Sequence, residues 1–149
     1  MSYVIVRATP DDATPLKEIA LAAKSYWNYA PDWLDRWSQL FQVRGEYIEQ
    51  HQVYKAQHDH TTIGWYGIIL RDTTAWLDDL WVIPAYIGKG VGRLLFDHAR
   101  QQAQQHGAHR LELEADPNAV GFYQKMGATI VGEVDSAMGR KLPRMELRL

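Results

Sequence analysis

The sequence predicts one α/β (α+β) domain built on a mixed sheet, and three observations carry that prediction. Apolar residues recur at helical spacing over roughly the first forty positions, and from about residue 52 the period falls to two. Three alternating runs then follow one another with only short turns between them, which makes hairpins. Beyond them, strands alternate with helical segments, which makes parallel neighbours. The expected order is β-α-α-β-β-β-α-β-α-β-β, a central sheet of about six or seven strands flanked by about four helices.

Each element has its own signal. Residues 3–7 form a short β-branched strand. Thr9 follows as a helix N-cap, with Pro10 at the first helical position and Asp11 and Asp12 in the first turn. Leu16, Ile19, Ala20 and Ala23 make the core face of that helix. A second helix begins near Pro31 and Asp32, with Trp33, Trp37, Leu40 and Phe41 along one side. Strands at 53–58, 63–70 and 75–82 turn at 58–61 and 71–73, and Pro84 closes the third. A glycine-rich turn leads into a helix reaching about His106, where Gly107 is the C-cap. A strand at 109–115, a helix from Pro117 to Gly127, and strands at 130–134 and 145–149 complete the chain. Residues 132–143 read as a loop between the last two strands, and 145–149 as a sheet edge that makes a homodimer one expectation.

Composition excludes several classes. The 149 residues suit a single domain spanning 1–149. Sixteen Lys and Arg against eighteen Asp and Glu leave a net charge of −2, no footprint for nucleic acid or an anionic membrane. No run approaches the roughly 18 apolar residues of a membrane helix. The opening MSYVIVRATPDD is not a signal peptide, so a cytoplasmic protein is expected. Cysteine is absent, which removes disulfides, thiolate metal sites and any acyl-thiol intermediate on the protein. His58 and His60 alternate at a strand end, but two histidines without a third ligand do not make a metal site, and none is expected.

The most informative stretch joins the third hairpin strand to the next helix. Gly88, Gly90 and Gly92 alternate there, with Lys89 and Arg93 among them. Glycines let successive backbone N–H groups converge, and a helix start adds positive potential, so the loop suits a phosphate or diphosphate. Familiar phosphate loops fail on spacing. A dinucleotide fingerprint needs glycine where Arg93 stands, and a P-loop needs glycine at Ile83 and Ser or Thr at Gly90.

The run from Leu80 through Trp81, Val82 and Pro84 to Gly88, Lys89, Gly90, Val91, Gly92 and Arg93 resembles the acyl-CoA motif of the GCN5-related N-acetyltransferases, the GNAT superfamily. Residues 115–128, with Asp116, Asn118, Phe122, Tyr123 and Gly127, resemble that family's second motif. The resemblance implies a GNAT-like acyl-CoA N-acyltransferase fold with acetyl-CoA as co-substrate and no metal. It implies that the backbone of Leu80, Trp81 and Val82 pairs with the pantetheine arm. The loop Gly88, Lys89, Gly90, Val91, Gly92 and Arg93 would wrap the diphosphate. Asn118, with Asp116 competing for the same place, would contact the arm, and Tyr123 would stand beside the sulfur. Ile87 departs from the family's usual Gln or Arg, which implies weaker CoA binding.

An amine acceptor sets the remaining chemistry. Removing the proton of an alkylammonium at pH 7 costs about 4.6 kcal/mol. Asp79 is the first candidate base, Glu112 and Glu114 are reserves, and a solvated strand carboxylate is the alternative for each. Tyr123 is the candidate acid for the leaving thiolate, or else a packed core tyrosine. Without cysteine, direct transfer in a ternary complex is favoured. Tyr26, Trp27 and Tyr29 are the candidate acceptor wall, offering aromatic faces to a cationic amine, while Trp33 and Trp37 suit core packing equally well. Ser136 or Arg140 is placed at the pocket border. The reading is transfer of acetyl to a small-molecule primary amine; protein or peptide N-acetylation and a non-catalytic acyl-CoA sensor are the alternatives.

Overall fold

The computed structural model, which describes residues 2–149, follows this order with one addition. Its elements are Val4–Arg7 (β1), Ala13–Lys24 (α1), Pro31–Leu40 (α2), Gly45–Gln50 (α3), Gln52–His58 (β2), Thr61–Arg71 (β3), Thr74–Val82 (β4), Val91–Gln105 (α4), Arg110–Glu114 (β5), Val120–Lys125 (α5), Thr129–Asp135 (β6) and Lys141–Arg148 (β7). One seven-stranded sheet runs β1-β2-β3-β4-β5-β7-β6. Only β4 and β5 are parallel, joined through α4, so the sheet is mixed as expected.

β3 is buried on both faces, with six consecutive buried residues from Ile63 to Ile68, the near-continuous apolar reading of a sheet covered on two sides. Trp65 packs with Leu16 and Ile19 of α1 and Ile48 of α3, and its indole N–H donates to the Leu16 carbonyl at 2.9 Å. Tyr66 and Ile68 face the other way, toward Leu95 and Phe96 of α4.

Three details differ from the sequence expectation. α3 was not foreseen: it is six residues long, opens on Gly45 and buries only Ile48, so no period is visible in it. The sheet edge is not 145–149. β7 runs between β5 and β6, and the outer strand on that side is β6, which leaves Ile130 and Val131 exposed. The loop expected at 132–143 is short, because β6 continues to Asp135 and β7 already begins at Lys141. Pro143 belongs to β7, although proline cannot donate to a ladder. It lies just past the last β5–β7 pair, Glu114 with Arg144, and its carbonyl still accepts from the Ala115 N–H at 2.8 Å.

Candidate active site

β4 stays paired with β3 from Thr74 to Val82 but with β5 only from Thr74 to Trp76. The two parallel strands then part, and the β5-facing backbone of Leu80, Trp81 and Val82 is left without a strand partner. A bulge lies at the start of this split: Gly67 pairs with Asp79 and Ile68 with Leu77, so Asp78 is the extra residue. Asp78 projects into solvent while Asp79 is buried. The cleft opens into a cavity of about 730 Å³.

At one end of the cavity the glycine loop enters α4. Gly88 and Gly90 adopt φ of +80° and +83°, left-handed backbone that glycine takes without strain, and a Cβ on either would meet open space. Val91, Gly92 and Arg93 form the first turn of α4, whose N–H groups have no intrahelical acceptor. Gly92 serves packing instead: a Cβ there would come within 3.3 Å of Phe122.

Among the described residues only two charged side chains are buried, Lys24 at 5% exposure and Asp79 at 7%, and both line this cavity. Asp79 accepts from the Tyr47 hydroxyl at 2.9 Å and from the Trp81 indole at 3.0 Å. Burial and the charge of Asp78 push its carboxyl up to about 7, against the pull of those two donors. Burial and the Asp79 charge drive Tyr47 far above the ordinary phenol range, so it stays protonated and donating. Gly67 makes room for it. A Cβ there would clash with the Tyr47 hydroxyl and stand 3.3 Å from its ring. Gly67→Ala is therefore expected to dislodge Tyr47 and raise the Asp79 pKa further. Tyr47→Phe should do the same with the backbone intact, and the check is the acid limb of the pH–rate profile moving to higher pH in both.

Tyr123 is buried against Phe96 and Phe122, and its hydroxyl has no protein hydrogen-bond partner among the described residues. It lines the cavity, and burial with the charges of Asp79 and Asp116 raises it above the phenol range. At neutral pH it can only give a proton.

Another part of the lining is an ionic network. Asp116 accepts from Lys24 at 2.6 Å, Tyr29 at 2.7 Å and Arg140 at 3.3 Å through one oxygen, and from the Asn118 N–H at 2.8 Å through the other. Burial opposes its charge, but the Lys24 and Tyr29 donors hold it down to about 2. Lys24 shares that pairing and is still pulled below the usual lysine value, because its burial outweighs the partner. Its ammonium sits 5.1–5.8 Å from the ring centres of Tyr29, Trp33, Trp37 and Trp81.

Most sequence candidates meet in this one cavity: Asp79, Leu80, Trp81, Val82, Gly88, Gly90, Gly92, Arg93, Asn118, Tyr123 and Trp27 all line it, as do Ser136 and Arg140. Ile87 lines it too, 40% exposed. Lys89 and Val91 do not: the first lies over the Tyr86 ring and the second is buried under its helix. Tyr26 is half exposed against Trp27, outside the cavity, and Tyr29 acts through Asp116 rather than at the surface. Trp37, Leu40 and Phe41 line the cavity although their spacing suits a core. Of the reserve carboxylates, Glu114 lines the cavity and Glu112 is held by Arg144 at 2.5 Å. No group of three or more potential metal ligands occurs among the described residues, and no described helix is long and apolar enough to cross a membrane.

Sequence reasoning missed Lys24 and Tyr47. Lys24 did carry a signal, a charge four residues after Ala20 on the apolar stripe of α1. Tyr47 carried none, since it belongs to the short helix with no visible period.

Comparison with known proteins agrees with this geometry. A model of the Acetyltransferase (GNAT) family matches residues 16–128. A streptothricin acetyltransferase of Streptomyces lavendulae is 38% identical over 65 residues, 42% of this chain and 34% of that protein. The peptidyl-lysine N-acetyltransferase YjaB of Salmonella typhimurium is 37% identical over 73 residues, 48% of each chain. These matches span only about a third to a half of the curated relatives' length. Among solved structures, the PaiA N-acetyltransferase of Thermoplasma acidophilum in complex with coenzyme A superposes with a TM-score of 0.83 at 21% identity over 100% of both chains. A GCN5-related N-acetyltransferase from Rhodopseudomonas palustris gives 0.86 at 21% identity, over 100% of this chain and 97% of the other. At that identity the likeness is one of fold.

Proposed function

Since the chain belongs to the acetyltransferase (GNAT) family, we propose that it transfers the acetyl group of acetyl-CoA directly to the primary amine of a small molecule. The observation that carries this reading is a single cavity lined by a glycine cradle, by a buried carboxylate of pKa about 7 and by a protonated tyrosine that feels its charge.

The residues present fit acetyl-CoA. Gly88 and Gly90 open the backbone to a diphosphate, the first turn of α4 presents its N–H groups, and Arg93 adds charge. The unpaired edge of Leu80, Trp81 and Val82 suits the amide-bearing pantetheine arm as an added strand would. When bound, acetyl-CoA supplies the electrophilic thioester.

Asp79 does the first task. A carboxylate poised near 7 takes the ammonium proton at neutral pH, directly or through one water, while Tyr47 and Trp81 hold it in place. The freed amine forms its C–N bond at the thioester carbon as the C–S bond breaks. A backbone N–H of the β4 edge stabilises the charge developing on the carbonyl oxygen. Tyr123 then gives its proton to the leaving sulfur, and the second proton shed by the nitrogen as it becomes an amide restores the Tyr123 hydroxyl, directly or through water in the cavity. Tyr123→Phe is expected to lower kcat about tenfold or more with the melting temperature nearly unchanged, read by CoA thiol release; an unchanged rate contradicts the assignment.

A small acceptor is favoured because the β6–β7 turn reaches across to α2. Arg36 donates to the Ala137 carbonyl at 3.4 Å, and Arg140 lies 4.8 Å from the Trp33 ring centre, so the acceptor end is walled on that side. The test is CoA release from acetyl-CoA with polyamines, amino acids, aminoglycosides and short peptides as acceptors, beside a melting scan with acetyl-CoA alone. Saturating acetyl-CoA should raise the melting temperature by about 5–10 °C. Release confined to small amines supports the reading. Release confined to peptides refutes the small-molecule part, and stabilisation without release from any acceptor points to a sensor.

A further inference from the structure

Lys24 from α1, Tyr29 from the α1–α2 connection, Asp116 and Asn118 from the β5–α5 loop, and Arg140 from the β6–β7 turn meet at the acceptor end of the cavity. Their charges do not balance. One carboxylate, Asp116, serves two cations, and its oxygens already accept from Lys24, Tyr29 and Arg140 on one side and twice from Asn118 on the other. The other buried carboxylate, Asp79, is only partly ionised at neutral pH. Asp78 and Glu114 also line the cavity, but both are exposed, the charge of Asp78 acts on Asp79, and neither pairs with Lys24 or Arg140. The network therefore keeps a surplus of one positive charge.

The rings around this network are occupied as well. Lys24 lies among four rings, and the Arg140 guanidinium is 4.9 Å from the Tyr29 ring centre and 4.8 Å from that of Trp33. Of the faces expected to receive a cationic acceptor, that of Tyr29 is covered by the protein's own cations, Tyr26 lies outside the cavity, and Trp27 alone still lines it. What Arg140 still offers is hydrogen-bond donors. Guanidinium has five N–H groups in a planar fork, and the network engages it only at Tyr29 and Asp116. Its side chain is 26% exposed and lines the cavity.

We propose, resting on the acetyl-transfer reading above, that the acceptor carries a carboxylate as well as its amine, and that Arg140, with Lys24 behind it, receives that carboxylate. A surplus of one charge matches a monoanion, and the guanidinium fork matches the two oxygens of a carboxylate. Trp81 sets the spacing. The Lys24 ammonium lies over its face, 5.8 Å from the ring centre, and its indole N–H holds Asp79 at 3.0 Å. Lys24 and Asp79 thus meet the same indole, and Arg140 joins Lys24 through the Asp116 oxygen they share, so amine and carboxylate can belong to one small molecule. The class is amino-acid-like.

The test compares amino acids with their own carboxamides and their decarboxylated amines as acceptors, in the wild type, Arg140→Gln and Arg140→Lys. In the wild type kcat/KM for the acid should exceed that for either partner about tenfold to a hundredfold. Arg140→Gln should narrow that gap to within about threefold, the loss for the acid falling mainly on KM, and Arg140→Lys should restore part of it. Amides or plain amines used as well as the acids overturn the inference. So does an Arg140→Gln loss that falls on kcat for all acceptors alike, the mark of a merely structural residue. A protein that acetyl-CoA stabilises against heat yet that turns over none of the acid-bearing amines overturns it too, with acetyl transfer still standing. If acetyl-CoA has no effect on melting, the transfer reading itself has failed and the inference falls with it.

Discussion

Asp79→Asn lowers kcat/KM about a hundredfold or more and removes its pH dependence near neutrality. Asparagine fills the same space and still meets Tyr47 and Trp81, but it cannot take a proton. A positioned base contributes roughly 10²–10⁴ in rate. In the wild type Asp79 titrates at about 7 because burial and Asp78 disfavour its charge. Below that pH it is protonated and idle, so the rate should rise with pH through about 7 and level off above. The stability consequence has the opposite sense. A carboxyl whose folded pKa lies above its unfolded value contributes stability that is complete below the usual carboxylate range and is lost as pH rises through about 7. The wild type should therefore melt progressively lower than Asp79→Asn as pH is raised from 5 to 8. A variant that keeps the wild-type rate, or a wild-type rate flat across pH 6–8, contradicts the assignment.

The second large effect is on folding. Asp116→Ala should cost about 3–5 kcal/mol, because it strands Lys24, 5% exposed, among four rings with no counter-charge and releases Arg140 at the same time. For a chain of this length that is a fall in melting temperature of about 10–15 °C. Lys24→Met in the same background should recover much of it, since a neutral chain of similar shape suits an aromatic cage better than an unpaired ammonium. Thermal and denaturant unfolding check both. A loss below about 1 kcal/mol would mean that water reaches Lys24 and that the network is not a buried one.

Much of this was legible in the sequence, for identifiable reasons. Period-two runs and the Gly107 signal bound main elements, and Thr9-Pro10 caps the 3-10 turn Pro10–Asp12 that leads into α1, because alternation and caps are local physics. The glycine loop was legible for the same reason, since contiguous residues carry the cradle, whereas Tyr123 was reached through the resemblance of residues 115–128 to a family motif. What the sequence could not show is what the bulge and the split between β4 and β5 do. A one-residue bulge at Asp78 decides which of two adjacent aspartates is buried, and nothing in the pair itself distinguishes them. Lys24, Asp116 and Arg140 are far apart along the chain, so their charge balance exists only after folding. Trp33 and Trp37 show the limit of spacing, which marks a face without saying whether a core or a lysine lies against it.

The central claim is direct transfer from acetyl-CoA to an amine, and it is tested most directly by following a labelled acetyl group. The protein is mixed with acetyl-labelled acetyl-CoA, an amine is added, and both protein and amine are quenched and analysed by mass at successive times. The account predicts label on the amine from the first turnover and none on the protein at any time. Label that appears first on the protein and then passes to the amine, or that reaches no amine although acetyl-CoA binds, would contradict it.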